Sequence, residues 1–171
     1  MSEPPLVTQS QSLRNLSAPL MTMGLILKPP PNRSASEWAD QSRVLPLGSA
    51  EPGRFRSRRT PYMLPIMAAC EDPRYKRVVV MCGSQMGKTA SLLNLIGKKL
   101  DDDPAPILYF GPTKSNVDGV IEPQVDQMLR GCDSLWRKTL QGRKAQKLVK
   151  RVAGVTLRLA WAGSATELAS Q

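Results

Sequence analysis

The stretch Arg77-Val78-Val79-Val80-Met81-Cys82-Gly83-Ser84-Gln85-Met86-Gly87-Lys88-Thr89 decides how this chain is read. Its first half is a short β-branched apolar run, the pattern of a strand covered on both faces. Glycines follow at 83 and 87. From Lys88 onward, Leu92, Leu93, Leu95, Ile96 and Leu100 predict a helix over about 88–100, closed by Asp101-Asp102-Asp103-Pro104. Strand, glycine loop and helix in this order make a phosphate cradle. Backbone N–H groups wrap the anion where no side chain blocks the approach, and the helix adds its positive N-terminal end. In such a cradle Gly83, Ser84, Gln85, Met86 and Gly87 supply the backbone, Lys88 reaches the β- and γ-phosphates, and Thr89 offers its hydroxyl to Mg²⁺. The strict pattern has glycine five residues before Gly87, where this chain has Cys82, so the loop is a variant.

Downstream, Ile107 to Phe110 read as a second apolar strand, followed by Gly111-Pro112-Thr113 and a helix over about 116–129 interrupted at Pro123. Alternating strands and helices predict an α/β fold with a mostly parallel central sheet. Val149 and Arg151, then Val155, Leu157, Leu159 and Trp161, alternate around Gly154 and predict two strands joined by a tight turn. Upstream, Tyr62, Leu64, Ile66, Met67 and Ala69 to Cys70 line one side of a helix that starts near Pro61, which Pro65 limits to its first turn or kinks. A shorter helix covers Ser36 to Asp40, capped by Ser34 or Ser36. The first sixty residues hold eight of the fifteen prolines, with Pro29, Pro30 and Pro31 in a row. Residues 1–33 therefore read as a mobile leader, and residues 34–171 as the folded part.

The chain has 171 residues, 41% of them apolar, enough for one domain with a real core. Its longest uncharged apolar run, Leu20 to Leu27, is far shorter than the roughly 20 residues that cross a bilayer. The expected location is the cytoplasm. Cys70, Cys82 and Cys132 are widely spaced and read as small core filler. There is no histidine, which excludes histidine acid–base chemistry and leaves no zinc-type spacing. The formal charge of +10 favours a polyanionic partner. Two clusters carry the excess, Arg54 to Arg59 and Arg137 to Lys150. Between Ser134 and Thr166 there are eight Lys or Arg and no acid. Each cluster reads equally as a solvated basic face or as a contact to DNA phosphates at a site separate from the phosphate loop.

Turnover of a nucleotide needs more than a phosphate loop: a carboxylate ending a second buried strand holds Mg²⁺, and a glutamate beside it orients water. No apolar run in the chain ends in Asp-Glu; Asp101 to Asp103 follow a helix and Glu167 lies in a loop. The expectation is a fragment, or a short product, that stops before its own catalytic acid.

Taken together, Gly83-Ser84-Gln85-Met86-Gly87-Lys88-Thr89, Glu37-Trp38-Ala39-Asp40, Leu45-Pro46, Ser49-Ala50, Gly53-Arg54, Pro61, Ile66-Met67, Pro112-Thr113, Glu122-Pro123 and Gly163 resemble the lambda-type (GpA family) phage terminase large subunit from about Ser34 to Gln171. The resemblance implies a P-loop ATPase domain of the additional-strand type, truncated before its Walker B strand and without the nuclease domain that normally follows. It implies ATP and Mg²⁺ as cofactors, Lys88 as the catalytic lysine, Thr89 as the metal ligand and the backbone from Gly83 to Gly87 as the cradle. Pro112-Thr113 falls where the family places a coupling motif. Implied partners are double-stranded DNA, a terminase small subunit, a portal and further copies of the same chain in a packaging motor, with no membrane. Many terminases carry an arginine inside the phosphate loop; here Ser84, Gln85 and Met86 occupy those places. Two rivals remain open at this point. One is a different P-loop enzyme, helicase-like or a nucleotide kinase, and the other is a non-catalytic basic DNA-binding or assembly remnant of a prophage.

Overall fold

The first helix starts at Ser34 through a capping box. Its hydroxyl accepts from the Glu37 N–H, the Glu37 carboxylate accepts from the Ser34 N–H, and helix α1 runs over Ala35–Ser42. The computed structural model describes residues 31–139 and 146–163. The expected leader up to residue 30, the cations Arg143 and Lys144, and Glu167 lie outside the described residues. The chain divides into the units Met1–Pro31 and Asn32–Gln171, and every element below belongs to the second.

After α1, Val44–Leu45 (β1) and Gly53–Arg54 (β2) form a two-stranded antiparallel ribbon. Two short 3₁₀ turns, Ser57–Arg59 and Pro61–Met63, lead into helix α2, Leu64–Glu71. Pro65 sits in its first turn, where a missing N–H costs nothing. Helix α3 spans Lys88–Asp102, starting where expected and running on through Asp101 and Asp102, and it buries Leu93, Ile96 and Leu100. Strand β3, Ile107–Gly111, is followed by α4, Lys114–Asn116, capped by the Thr113 side chain, a π-helical turn Val117–Ile121, and α5, Glu122–Gly131. The break falls just before Pro123, which sits in the first turn of α5. Its ring cannot sit against the carbonyl four residues back, and the wider π turn absorbs the misfit. Helix α6, Asp133–Lys138, had no clear signal in the sequence. Strands β4, Val149–Val152, and β5, Val155–Trp161, form the expected hairpin through Ala153 and Gly154, with φ of +50° and +81°. Positive φ at both central residues gives the turn a twist that matches the strands.

The sheet order is β3-β5-β4. β3 runs parallel to β5, with Ile107 opposite Leu157 and Gly111 opposite Trp161, and β4 runs antiparallel to β5. The sheet is therefore mixed rather than mostly parallel, because a two-residue turn can only return a strand as an antiparallel neighbour. One face, with Leu157 and Leu159, packs on Val117, Val125, Leu129 and Leu135 in the core, where Trp38 and Leu100 also lie. On the other face Leu108 and Phe110 stay about half exposed.

The largest departure is the run Arg77 to Cys82, which is not a strand. Among the described residues nothing pairs with it, so no ladder holds it and its side chains meet solvent: Val79 is 76% and Met81 93% exposed. Two cysteines also depart from the core-filler expectation. Cys70 and Cys82 are exposed; Cys132 alone is buried, and burial pushes its thiol up to about 11.

Trp38 and Asp101 explain how α1 is fixed to α3. The indole lies on Gly97, where a Cβ would come 2.1 Å from the ring, and its Nε1 donates to Asp101 at 2.9 Å. Asp101 also accepts from Ser134 at 2.8 Å and from Lys138 at 2.6 Å, while Asp102 accepts two bonds from Arg33 at 2.7 and 2.8 Å. Burial alone would raise the Asp101 carboxyl, but the hydrogen bonds from Lys138, Trp38 and Ser134 outweigh it and hold the group below the usual carboxylate range. Carboxylates at a helix C-terminus face the negative end of its dipole, so these cations are what make Asp101 and Asp102 tolerable there.

Candidate functional site

The loop from Gly83 to Gly87 joins the exposed apolar run to the first turn of α3. Gly87 is the N-cap, in the left-handed region at φ +80°, and no side chain caps the helix. A non-glycine residue strains at such a φ, which is why glycine stands where the chain turns into the helix. Gln85 takes φ +58° without that freedom. The first intrahelical bond runs from the Ser91 N–H to the Gly87 carbonyl at 2.9 Å. The N–H groups of Lys88, Thr89 and Ala90 come before that bond and have no intrahelical acceptor. The result is an uncapped, solvent-facing helix terminus with donors and a positive dipole end available to an anion.

Lys88 occupies the first helical position, and its ammonium folds back onto the loop, donating to the Cys82 carbonyl at 3.2 Å and to the Gly83 carbonyl. Thr89, next in the helix, is half-buried. The two expected side chains and the backbone from Gly83 to Gly87 therefore come together in one place. Beside them Met63, Met67, Val78, Val80 and Leu92 line an apolar groove of about 260 Å³ that reaches Lys88. Pro112-Thr113 follows β3 as expected; the Thr113 hydroxyl accepts from the Asn116 N–H at 3.2 Å. Among the described residues no three His, Cys, Asp or Glu gather as a metal site.

Sequence reasoning treated the two basic clusters as equivalent, and they are not. Lys138 is bound to Asp101, and Lys150, 12% exposed, is bound to Glu122 and Asp126 at 2.8 and 3.2 Å. The segment from Ser134 to Thr166 contains no acid, yet acids on α3 and α5 neutralise part of it. In the other cluster Arg54, Arg56, Arg58 and Arg59 are exposed, but the turn that carries the last two is not remote from the loop. The Thr60 γ-methyl lies 3.6 Å from where a Cβ on Gly87 would be. That contact joins residues 27 apart in sequence, and no local pattern announces it.

Arg43 was also invisible to pattern. Only 6% exposed, it donates to the Ala90 carbonyl at 2.8 Å and to Asn94, and lies 5.1 Å from the centre of the Phe55 ring. Burial among neutral partners pushes its guanidinium down to about 10, with the nearby Cys132 acting in the opposite sense. It fixes the end of α1 to the first turns of α3, directly behind the loop.

The family model described as phage terminase large subunit gpA, ATPase domain, matches residues 49–171. The chain belongs to that family. No curated protein and no solved structure matches it. The matched span of the terminase ATPase domain contains the loop, Lys88, Thr89 and Pro112-Thr113, whereas Glu37-Trp38-Ala39-Asp40 lies ahead of it. The motif Glu-Trp-Ala-Asp has a structural account of its own: Glu37 closes the capping box, Trp38 covers Gly97, and Asp40 accepts from the Ser57 N–H at 2.6 Å. Among the described residues no helix is long and apolar enough to cross a membrane.

Proposed function

We propose that the segment Gly83 to Thr89 is the Walker A loop of a P-loop ATPase fold, and that it binds ATP with Mg²⁺ as part of a DNA-packaging motor. The observation that carries this reading is the uncapped start of α3, with Gly87 turned left-handed and Lys88 at its first position. In this reading the N–H groups around Gly87 take the phosphate oxygens. Lys88 exchanges the Cys82 and Gly83 carbonyls, to which it now donates, for the β- and γ-phosphates. Thr89 would hold Mg²⁺, which would supply positive charge against the phosphates. Residues 34–171 act as the ATPase portion and residues 1–33 as a leader whose last residue, Arg33, is tied to Asp101 and Asp102 at the end of α3. The intact motor would couple ATP hydrolysis to translocation of double-stranded DNA, with a small subunit, a portal and further copies as partners, in the host cytoplasm.

Isothermal titration with Mg²⁺-ATP tests the site. Micromolar to millimolar binding is expected, weakened at least tenfold by Lys88→Ala, or about 1.4 kcal/mol. Equal affinity of the two proteins would remove the reading. Turnover should stay at background, because no apolar run of this sequence, and no strand among the described residues, ends in the Asp-Glu pair that places metal and water. Steady-state hydrolysis abolished by Lys88→Ala would reveal an acid supplied elsewhere in the chain.

A further inference from the structure

The turn Ser57–Arg59 is braced from behind. The Ser57 N–H donates to Asp40 at 2.6 Å, its hydroxyl donates to the Ser36 carbonyl at 3.1 Å, and the Thr60 N–H returns to the Ser57 carbonyl at 3.1 Å. Beyond it the Met63 N–H donates to the Thr60 carbonyl at 2.9 Å. Thr60 is thus held on both sides where its methyl meets Gly87, the pivot of the loop. Arg59 is the residue before Thr60, about 3.8 Å away along the backbone. Its guanidinium is 58% exposed, and its salt bridge, at 3.1 Å, is to Glu51, itself 56% exposed. A pair this open to water is weak and readily exchanged.

The loop itself is short of positive charge. From Cys82 to Thr89 its only cation is Lys88, with Ser84, Gln85 and Met86 neutral. A triphosphate presents several anionic oxygens, and the planar fork of an arginine can grip two of them at once where an ammonium acts as a point charge. We propose that Arg59 is a phosphate-binding residue of this site, leaving Glu51 for the terminal phosphate of a nucleotide held by the loop. The inference rests on the reading of Gly83 to Thr89 as the nucleotide site. It moves Arg59 from a DNA contact to a contact within that site and supplies from outside the loop the positive charge that the loop lacks.

The test is a calorimetric comparison of ATP, ADP and AMP, each with Mg²⁺, on the full chain carrying Arg59→Ala, Arg59→Lys, Glu51→Gln or Lys88→Ala. A contact to the terminal phosphate predicts that Arg59→Ala weakens ATP about tenfold, ADP by less, and AMP not at all, as expected for loss of one charge-assisted bond. Arg59→Lys should recover part of the loss, and Glu51→Gln should tighten ATP by about twofold by releasing the competing partner. Equal loss for all three nucleotides, or no loss while Lys88→Ala still weakens ATP, would overturn the role of Arg59 and leave the site standing. If Lys88→Ala also has no effect, the nucleotide reading itself fails. Arg59 is on the surface, so unchanged thermal unfolding is expected in its variants.

Discussion

Helix α3 has two ends that answer opposite demands. At its C-terminal end Asp101 and Asp102 are 7% and 5% exposed and meet Arg33, Trp38, Ser134 and Lys138, so the polar capacity is used up within the fold. At its N-terminal end no side chain caps the helix, the loop is exposed, and Lys88 is held by its own loop's carbonyls. A helix anchored at one end and polar but uncapped at the other is a rigid mount for a binding loop. Groups that are satisfied internally stabilise the fold, whereas groups left without a fixed partner remain for a ligand.

The contrast predicts which changes should be felt in stability and which in binding. Asp101→Ala should have the largest effect, about 3 kcal/mol in urea unfolding, because it strands the buried indole N–H of Trp38 and removes the shared acceptor of Ser134, Lys138 and Arg33. Gly97→Ala comes next, at about 2 kcal/mol: the new methyl would meet the ring of Trp38, which is fully buried and cannot retreat cheaply. Lys88→Ala should change unfolding by no more than about 0.5 kcal/mol while weakening nucleotide, since its ammonium bonds only exposed loop carbonyls. A large loss of stability in Lys88→Ala would break the distinction between the two ends.

Acid should act through the anchored end. The folded-state carboxyl of Asp101 titrates below its ordinary value of 3.8, so its contribution is fully present above that value. It should be lost as pH falls through the lower folded value. Unfolding followed by circular dichroism below pH 4 should show this slope reduced in Asp101→Asn. Substituting Gln85→Gly is the smallest predicted effect, a gain of about 0.5 kcal/mol from relief of a left-handed φ, partly offset by the greater freedom of the unfolded chain.

Much of the architecture was legible in the sequence. The period of Leu93, Ile96 and Leu100 announced α3, the alternation around Gly154 announced the β4–β5 hairpin, and Pro123 marked the break between α4 and α5. Leu92 follows the same apolar pattern yet is 39% exposed, because a helix hydrophobic on a broad face buries only the part that something covers. The run Arg77 to Cys82 failed for a related reason. Composition reports that a segment suits a strand, but pairing supplies the ladder, and no described strand supplies it here.

At the candidate site the sequence by itself determined the local chemistry: Gly87 for a left-handed turn, Lys88 at the helix start, Thr89 beside it, and an arginine cluster upstream. These are properties of neighbours along the chain, where spacing and backbone preference act directly. Tertiary structure alone decided which distant groups meet. It placed Thr60 on Gly87, buried Arg43 behind the first turns of α3, drew Lys138 and Lys150 into ion pairs with acids on α3 and α5, and left Arg59, the residue before Thr60, paired with the exposed Glu51. Such contacts depend on how helices and turns pack across the core, and residues far apart in sequence carry no local mark of the partner that packing assigns them.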